Sequence, residues 1–164
     1  MKKVALSPDG NNWARHPIGV YTSRCDDKGR LRLPKELEDF LRTYPEPEYF
    51  ITSLDGSIAR IYPIRTWMEN EKFLAEFKEN PKAGRDIAFL AHKWGGISMI
   101  DAQGRVLVPQ ELRRKLQIED QKVNLRFYKG AVEIYSEAES ERREASAMEA
   151  LAANLDVLEK QGLI

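Results

Sequence analysis

The chain predicts an α+β protein: a duplicated β unit whose two copies share one core, joined by a helical linker and followed by a C-terminal helix. Three observations carry this. Asp26-Asp27-Lys28-Gly29-Arg30-Leu31-Arg32-Leu33-Pro34 comes back 75 positions later as Asp101-Ala102-Gln103-Gly104-Arg105-Val106-Leu107-Val108-Pro109, and seven of sixteen positions are identical between residues 26–41 and 101–116 without a gap. Ordinary residue frequencies do not produce that by chance. Around each copy the apolar residues alternate with the two-residue period of a strand, whereas the stretches between and after the copies follow helical spacing. Finally, 164 residues leave each half only about 50 residues once arm, linker and tail are set aside, a size at which an isolated core is marginal. The halves must therefore share one.

Taken in order, residues 1–17 hold Pro, Gly, Asn and Ser without apolar periodicity and read as a flexible N-terminal arm with Trp13 as its one sizeable apolar anchor. The first repeat spans 18–64. Val20 to Arg24 and Arg30 to Leu33 read as strands around an Asp-Asp-Lys-Gly turn, in which Asp can bond the backbone two residues on and Gly29 can take a positive φ. Pro34 suits the first turn of a helix whose Leu37, Phe40 and Leu41 share a face. Tyr49 to Thr52 and Ile58 to Tyr62 then flank an Asp55-Gly56 turn and form a hairpin.

The linker, 65–95, carries Trp67, Met68, Phe73, Leu74 and Phe77, then Ile87, Leu90, Ala91 and Trp94, at helical spacing that reads as core packing. The second repeat, 96–136, restates the first: strand, Asp101 to Gly104 turn, strand, short helix, and a hairpin about Lys129-Gly130. Residues 137–164 predict one helix ending near Gly162, with Met148, Leu151, Leu155 and Leu158 as a seam.

Composition excludes several classes. Charged residues make up 32% and hydrophobic ones 42%, and no apolar run approaches the ~18 to 20 residues that cross a bilayer. The basic opening Met1-Lys2-Lys3 is followed by Ser7-Pro8-Asp9-Gly10 where an export signal needs an apolar segment, so a cytoplasmic protein is expected. The single Cys25 fits a reducing compartment, and with His16 and His92 it shows no paired ligand spacing, so neither metal nor cofactor is expected. No triad, metal motif or phosphate-cradling loop is present, and the repeated unit holds no nucleophile common to both copies; catalysis is not expected. The net charge of zero hides a division. Between Lys93 and Lys129 eight bases face four acids, and after Lys129 eight acids face three bases.

For Asp26 and Asp101 two readings stay open: a turn-holding ion pair with the following Arg, or a functional role. Structural roles are expected for Gly29, Gly104, Pro34 and Pro109. Arg24, Lys28, Arg30 and Arg32 cluster about one turn, and on a strand Arg30 and Arg32 project to one face while Leu31 and Leu33 point to the core. Such a cluster matches phosphate oxygens, and Arg can also read guanine. In the second copy Lys28 becomes Gln103 and Arg32 becomes Leu107, but Arg105 persists. Arg113, Arg114 and Lys115 read as a solvated helix face, with further phosphate contacts as the alternative.

At these residues the chain resembles the MraZ family of bacterial transcriptional regulators. The double Asp-x-x-Gly-Arg-x-x-x-Pro pattern, Tyr62-Pro63 with Trp67 after the first hairpin, and Leu112-Arg113 after the second motif carry the resemblance, over Ile18 to Tyr135. It implies swapped-hairpin repeats of the AbrB type and a homo-oligomeric ring that sets its Asp-x-x-Gly-Arg loops against closely spaced repeats in double-stranded promoter DNA. It also implies repression of the cell division and cell wall gene cluster in the nucleoid, with Lys28, Arg30 and Arg105 as loop bases. Departures are the long arm, the thinning of charge at Gln103 and Leu107, and Glu38 where the family often has Arg. With Arg24, Arg32 and Gln103 added, this is the expected DNA-binding set; no membrane or small-molecule partner is expected. The alternative is an oligomeric protein-interaction module that uses the acidic C-terminal helix.

Overall fold

The computed structural model describes residues 16–164; the arm expected over residues 1–17, with Trp13, lies outside the described residues except for His16 and Pro17. Among the described residues the alternating segments fold into eight strands: β1 (Tyr21–Cys25), β2 (Arg30–Arg32), β3 (Glu48–Thr52), β4 (Ala59–Pro63), β5 (Gly96–Met99), β6 (Arg105–Leu107), β7 (Gln121–Tyr128) and β8 (Ala131–Ser136). Among the described residues there are six helices, α1 (Lys35–Leu41), α2 (Ile64–Glu76), α3 (Pro81–Trp94), α4 (Gln110–Lys115), α5 (Glu137–Glu149) and α6 (Leu151–Lys160). Each motif proline stands one position before its helix: Pro34 and Pro109, both at φ −53° with extended ψ, are the N-cap residues of α1 and α4.

The strands form one antiparallel sheet in the order β5-β3-β4-β8-β7-β1-β2-β6. Its two ends come back against each other, because the Leu107 N–H donates to Ser98 Oγ at 3.0 Å and the Asp101 N–H to the Arg105 carbonyl at 2.9 Å. The result is nearly a closed barrel, with little free edge for another chain to extend. The halves are interleaved: β1 of the first pairs with β7 of the second, and β3 of the first with β5 of the second. Equivalent strands meet at two crossing points, β2 on β6 and β4 on β8. At the second crossing Arg60 pairs with Glu133, a carboxylate only 3% exposed. Its burial is tolerated because Arg126 donates to it from Nε at 2.9 Å and from its terminal nitrogen at 2.8 Å, with Arg60 at 3.8 Å.

Inside, both halves supply the same positions. Leu31, Leu37 and Ile61 from the first and Val106, Leu112 and Ile134 from the second are all fully buried in one cluster, so neither half holds a core alone. Each such side chain contributes roughly 1.5 to 3 kcal/mol by leaving water.

The linker helices differ from the sequence expectation in part. Trp67 is buried against Phe50 and Tyr62, ring centroids 4.7 and 5.1 Å away, and Ala91 joins them. Met68 and Phe73, expected as core, are exposed. The α2 helix turns one face to the sheet and crosses α3 where Gly84 meets the Leu74 backbone, which leaves the face of Met68 and Phe73 uncovered. The single C-terminal helix is also corrected. It breaks at Ala150 (φ −103°, ψ 7°) into α5 and α6, although neither Gly nor Pro stands there.

A shared core requires one cooperative transition. Urea unfolding followed by tryptophan fluorescence and by far-ultraviolet ellipticity should give coincident curves, and Leu31→Ala should lower stability by about 2 to 5 kcal/mol in both probes together. Two separated transitions would refute the shared core.

Candidate nucleic-acid interface

Each duplicated turn is built around one carboxylate. Asp26 Oδ1 accepts the backbone N–H groups of Lys28 at 2.9 Å and Arg30 at 2.8 Å, and Oδ2 accepts Arg30 Nε at 2.7 Å. Asp101 repeats this with Gln103 N–H, Arg105 N–H and Arg105 Nε, each at 2.9 Å. The carboxylate thus satisfies the turn's inward donors and holds each arginine by its Nε, and the Arg30 and Arg105 side chains stay 40% and 25% exposed. Both aspartates thus form the turn-holding ion pair with the following arginine. Gly29 and Gly104 sit at φ +85° and +76°, where a side chain is strained.

These glycines also admit a close neighbour from the opposite half. A Cβ on Gly29 would lie 2.6 Å from the Arg113 side chain, and one on Gly104 would lie 2.4 Å from Glu38 Oε1. Glu38 and Arg113 are equivalent positions of the repeat, 75 residues apart. Arg113 is therefore not a solvated cation: its side chain is 12% exposed, donates to the Val108 carbonyl at 2.9 Å and pairs with Glu119 at 3.2 Å. Glu38 pairs with Arg42, which in turn donates to the Asp101 carbonyl at 3.1 Å. One loop is thus backed by an arginine and the other by a glutamate. The repeat offset in the sequence already aligns the two residues, and that was the missed signal.

The remaining sequence-predicted cations come together on the outer face of the sheet. In the β2–β6 pairing Leu31 lies opposite Val106, both inward, so Arg30 with Leu107 and Arg32 with Arg105 face out. Cys25 lies opposite Leu31 and Arg24 opposite Lys122. That register sets Arg24 beside Arg32, giving a row Lys122, Arg24, Arg32, Arg105 across four adjacent strands. At about 4.8 Å per strand the row spans about 14 Å. Lys122 was not predicted, since only the pairing of β1 with β7 brings it beside Arg24. Arg24 donates to the Asp120 carbonyl at 2.8 Å and pairs with its carboxylate at 2.9 Å. Arg32 donates to the Gln103 carbonyl at 3.1 Å. Among the described residues neither Arg32 nor Lys28 is in an ion pair, and both are exposed, as is Gln103.

The equivalent row of the other half is different in chemistry. Glu48 lies opposite Met99, followed by Leu107 and Arg30. Ile97, Met99 and Leu107 are 56%, 60% and 53% exposed, so this side of the face mixes exposed apolar residues with one acid and one base where the other is basic throughout.

Comparison with known proteins converges on one family. A family model described as "MraZ protein, putative antitoxin-like" matches residues 98–157. Proteins named transcriptional regulator MraZ are similar to this chain: that of Acidobacterium capsulatum is 37% identical over 61% of this chain and 68% of its own length. Those of Koribacter versatilis and Thiobacillus denitrificans are 32% and 31% identical, the latter over 84% of this chain and 95% of its own length.

The turns predict an acid sensitivity of definite sign. Partial burial pushes the Asp26 carboxyl up, but the Arg30 and Lys28 N–H groups and the Arg30 guanidinium outweigh it and hold the group below the ordinary carboxylate value. At Asp101 the Arg105 N–H is the leading cause of the same lowering. A depressed folded value stabilises above the unfolded value, about 3.9, and that stability is lost as pH falls through the folded one. Carbon-detected titration should place both carboxyls below 3.9, and Asp26→Asn and Asp101→Asn should destabilise at pH 7 and progressively less as pH falls below that value. Ordinary titration of both would refute the arrangement.

Proposed function

The chain belongs to the MraZ family, and from that membership we propose that it is a transcriptional regulator, not an enzyme, that binds promoter DNA through the basic half of this face. The observation that carries the reading is the row Lys122, Arg24, Arg32, Arg105, with Arg30 and Lys28 beside it, held on paired strands. Cations on rigid elements meet phosphates with little loss of side-chain freedom, and the partly exposed Arg30 and Arg105 side chains can reach a phosphate or a guanine edge. Gln103 joins the set as a neutral donor at the second loop. Lys28 at the first loop, against Gln103 at the second, supports the first loop as the stronger anion contact.

In this reading the interleaved halves, 18–64 and 96–136, are swapped-hairpin repeats of the AbrB type, joined by the linker 65–95 and followed by the tail 137–164. Copies assemble into a homo-oligomeric ring that sets several loops against repeats upstream of the cell division and cell wall genes, which it represses in the nucleoid. One subunit makes few phosphate contacts, and assembly raises the effective concentration of the rest. No helix among the described residues is long and apolar enough to cross a membrane. A second reading, a protein-interaction module that uses the acidic C-terminal helices, is favoured by their complete exposure from residue 141 onward.

Fluorescence anisotropy on the chain's own upstream DNA separates the two readings. Arg30→Ala should weaken binding by about tenfold, the scale of one charged contact worth 1 to 3 kcal/mol, and Arg30→Ala/Arg105→Ala should weaken it further. The log-log salt slope should fall by about 0.9 for each phosphate contact removed. Unchanged binding and a flat salt response would refute the DNA interface. Removal of residues 136–164 should preserve affinity for a single repeat under the first reading and abolish partner binding under the second.

A further inference from the structure

Beside the basic row stands a carboxylate that holds no backbone. Asp26 and Asp101 each accept two backbone N–H groups and so build their turns, but Asp120, the residue before β7, is different. Among the described residues its carboxylate meets Arg24 alone, at 2.9 Å, while its carbonyl accepts the same guanidinium nitrogen at 2.8 Å. The local turn closes without the carboxylate, through the Gln121 N–H on the Ile118 carbonyl at 3.1 Å. With the Arg24 and Asp120 side chains 61% and 70% exposed, the pair adds little to stability. Its effect falls on the face instead. We propose that Asp120 is a specificity-determining residue: it holds Arg24 against phosphates and so penalises duplexes that meet the row by charge alone.

The inference rests on the promoter-DNA reading above and deepens it. Gln121 lies opposite Cys25 in the pairing of β1 with β7, so Asp120 stands at the level of the first loop, which begins at Asp26. In the row, Arg105 is held by the carboxylate of its own turn, Arg32 is in no ion pair among the described residues, and Lys122 meets Glu137 only at 3.8 Å. Arg24 is thus the member most closely neutralised from outside the repeated unit.

A phosphate that takes Arg24 must displace Asp120 or share the guanidinium with it, and the carboxylate repels phosphates within a Debye length, about 8 to 10 Å. Phosphate contacts carry no sequence information, so some penalty falls on every duplex. A duplex held in register by base contacts at Arg30 and Lys28 keeps its phosphates where those contacts set them. One without such contacts is held almost wholly by charge and shifts toward whichever cations are available, so it gains most when Arg24 is released. Asp120 therefore lowers binding to the wrong sequence more than to the right one.

Full-length chains test this by fluorescence anisotropy on the chain's own upstream DNA and on a random duplex of the same length. The backbone at Asp120 has φ +55°, so Asn and Gly, which accept that region, remove the charge and keep the turn. Asp120→Asn and Asp120→Gly should each tighten binding to the random duplex about two- to fivefold, the range of one exposed ion pair. They should steepen its log-log salt slope by about 0.9 and tighten upstream binding less. In an Arg24→Ala background Asp120→Asn should give no such gain. Unchanged or weaker binding by both Asp120 variants, an equal gain on the two duplexes, or a full gain without Arg24 would overturn the role, and Arg30→Ala still weakening binding would leave the DNA reading standing. A wild-type chain that binds neither duplex would overturn both.

Discussion

The pairing of β2 with β6 is the constraint on which the rest depends. Each is a three-residue strand, too short to be stable alone, yet their register places Leu31 against Val106 at the centre of the shared core. Two further bonds extend the pairing into the loops, Leu33 N–H to the Gly104 carbonyl at 2.9 Å and Val108 N–H to the Gly29 carbonyl at 2.8 Å. Each turn is thus tied to the strand of the other copy. The same register that buries the leucine and valine forces Arg30, Arg32 and Arg105 to the outside, so core and basic face follow from one set of backbone bonds.

Within that frame the copies have kept the backbone chemistry and exchanged the surface. The Asp, Gly, Arg and Pro positions act identically in both: the carboxylate satisfies two N–H groups and a guanidinium, and the glycine takes a positive φ. Around them Arg24 corresponds to Met99, Arg32 to Leu107 and Arg113 to Glu38. A pseudo-symmetric scaffold therefore carries an asymmetric face, basic on one side and mixed, with exposed apolar residues, on the other.

The strands, turns and short helices were legible because their signals are local: alternation, an Asp-x-x-Gly turn and a proline before an apolar face each act over a few residues. The α+β class and the motif cations followed from them. Less legible were Met68 and Phe73, where helical spacing says that a face is apolar but not whether a neighbour exists to cover it. Arg113 was misread for the opposite reason: a charge in an exposed-looking helix is drawn inward by Glu119 and the Val108 carbonyl, partners that the helix alone does not reveal.

By itself the sequence determined the duplication, the two carboxylate-built turns, the need for a common core and the family, since these rest on residue identity and spacing along the chain. Only the tertiary structure decided that β1 pairs with β7 and β2 with β6, so that Lys122 falls beside Arg24 and Glu38 behind the second loop. The physical reason is that strand exchange between halves is a long-range choice, set by which pairing closes the sheet over a single core, and no local period encodes it.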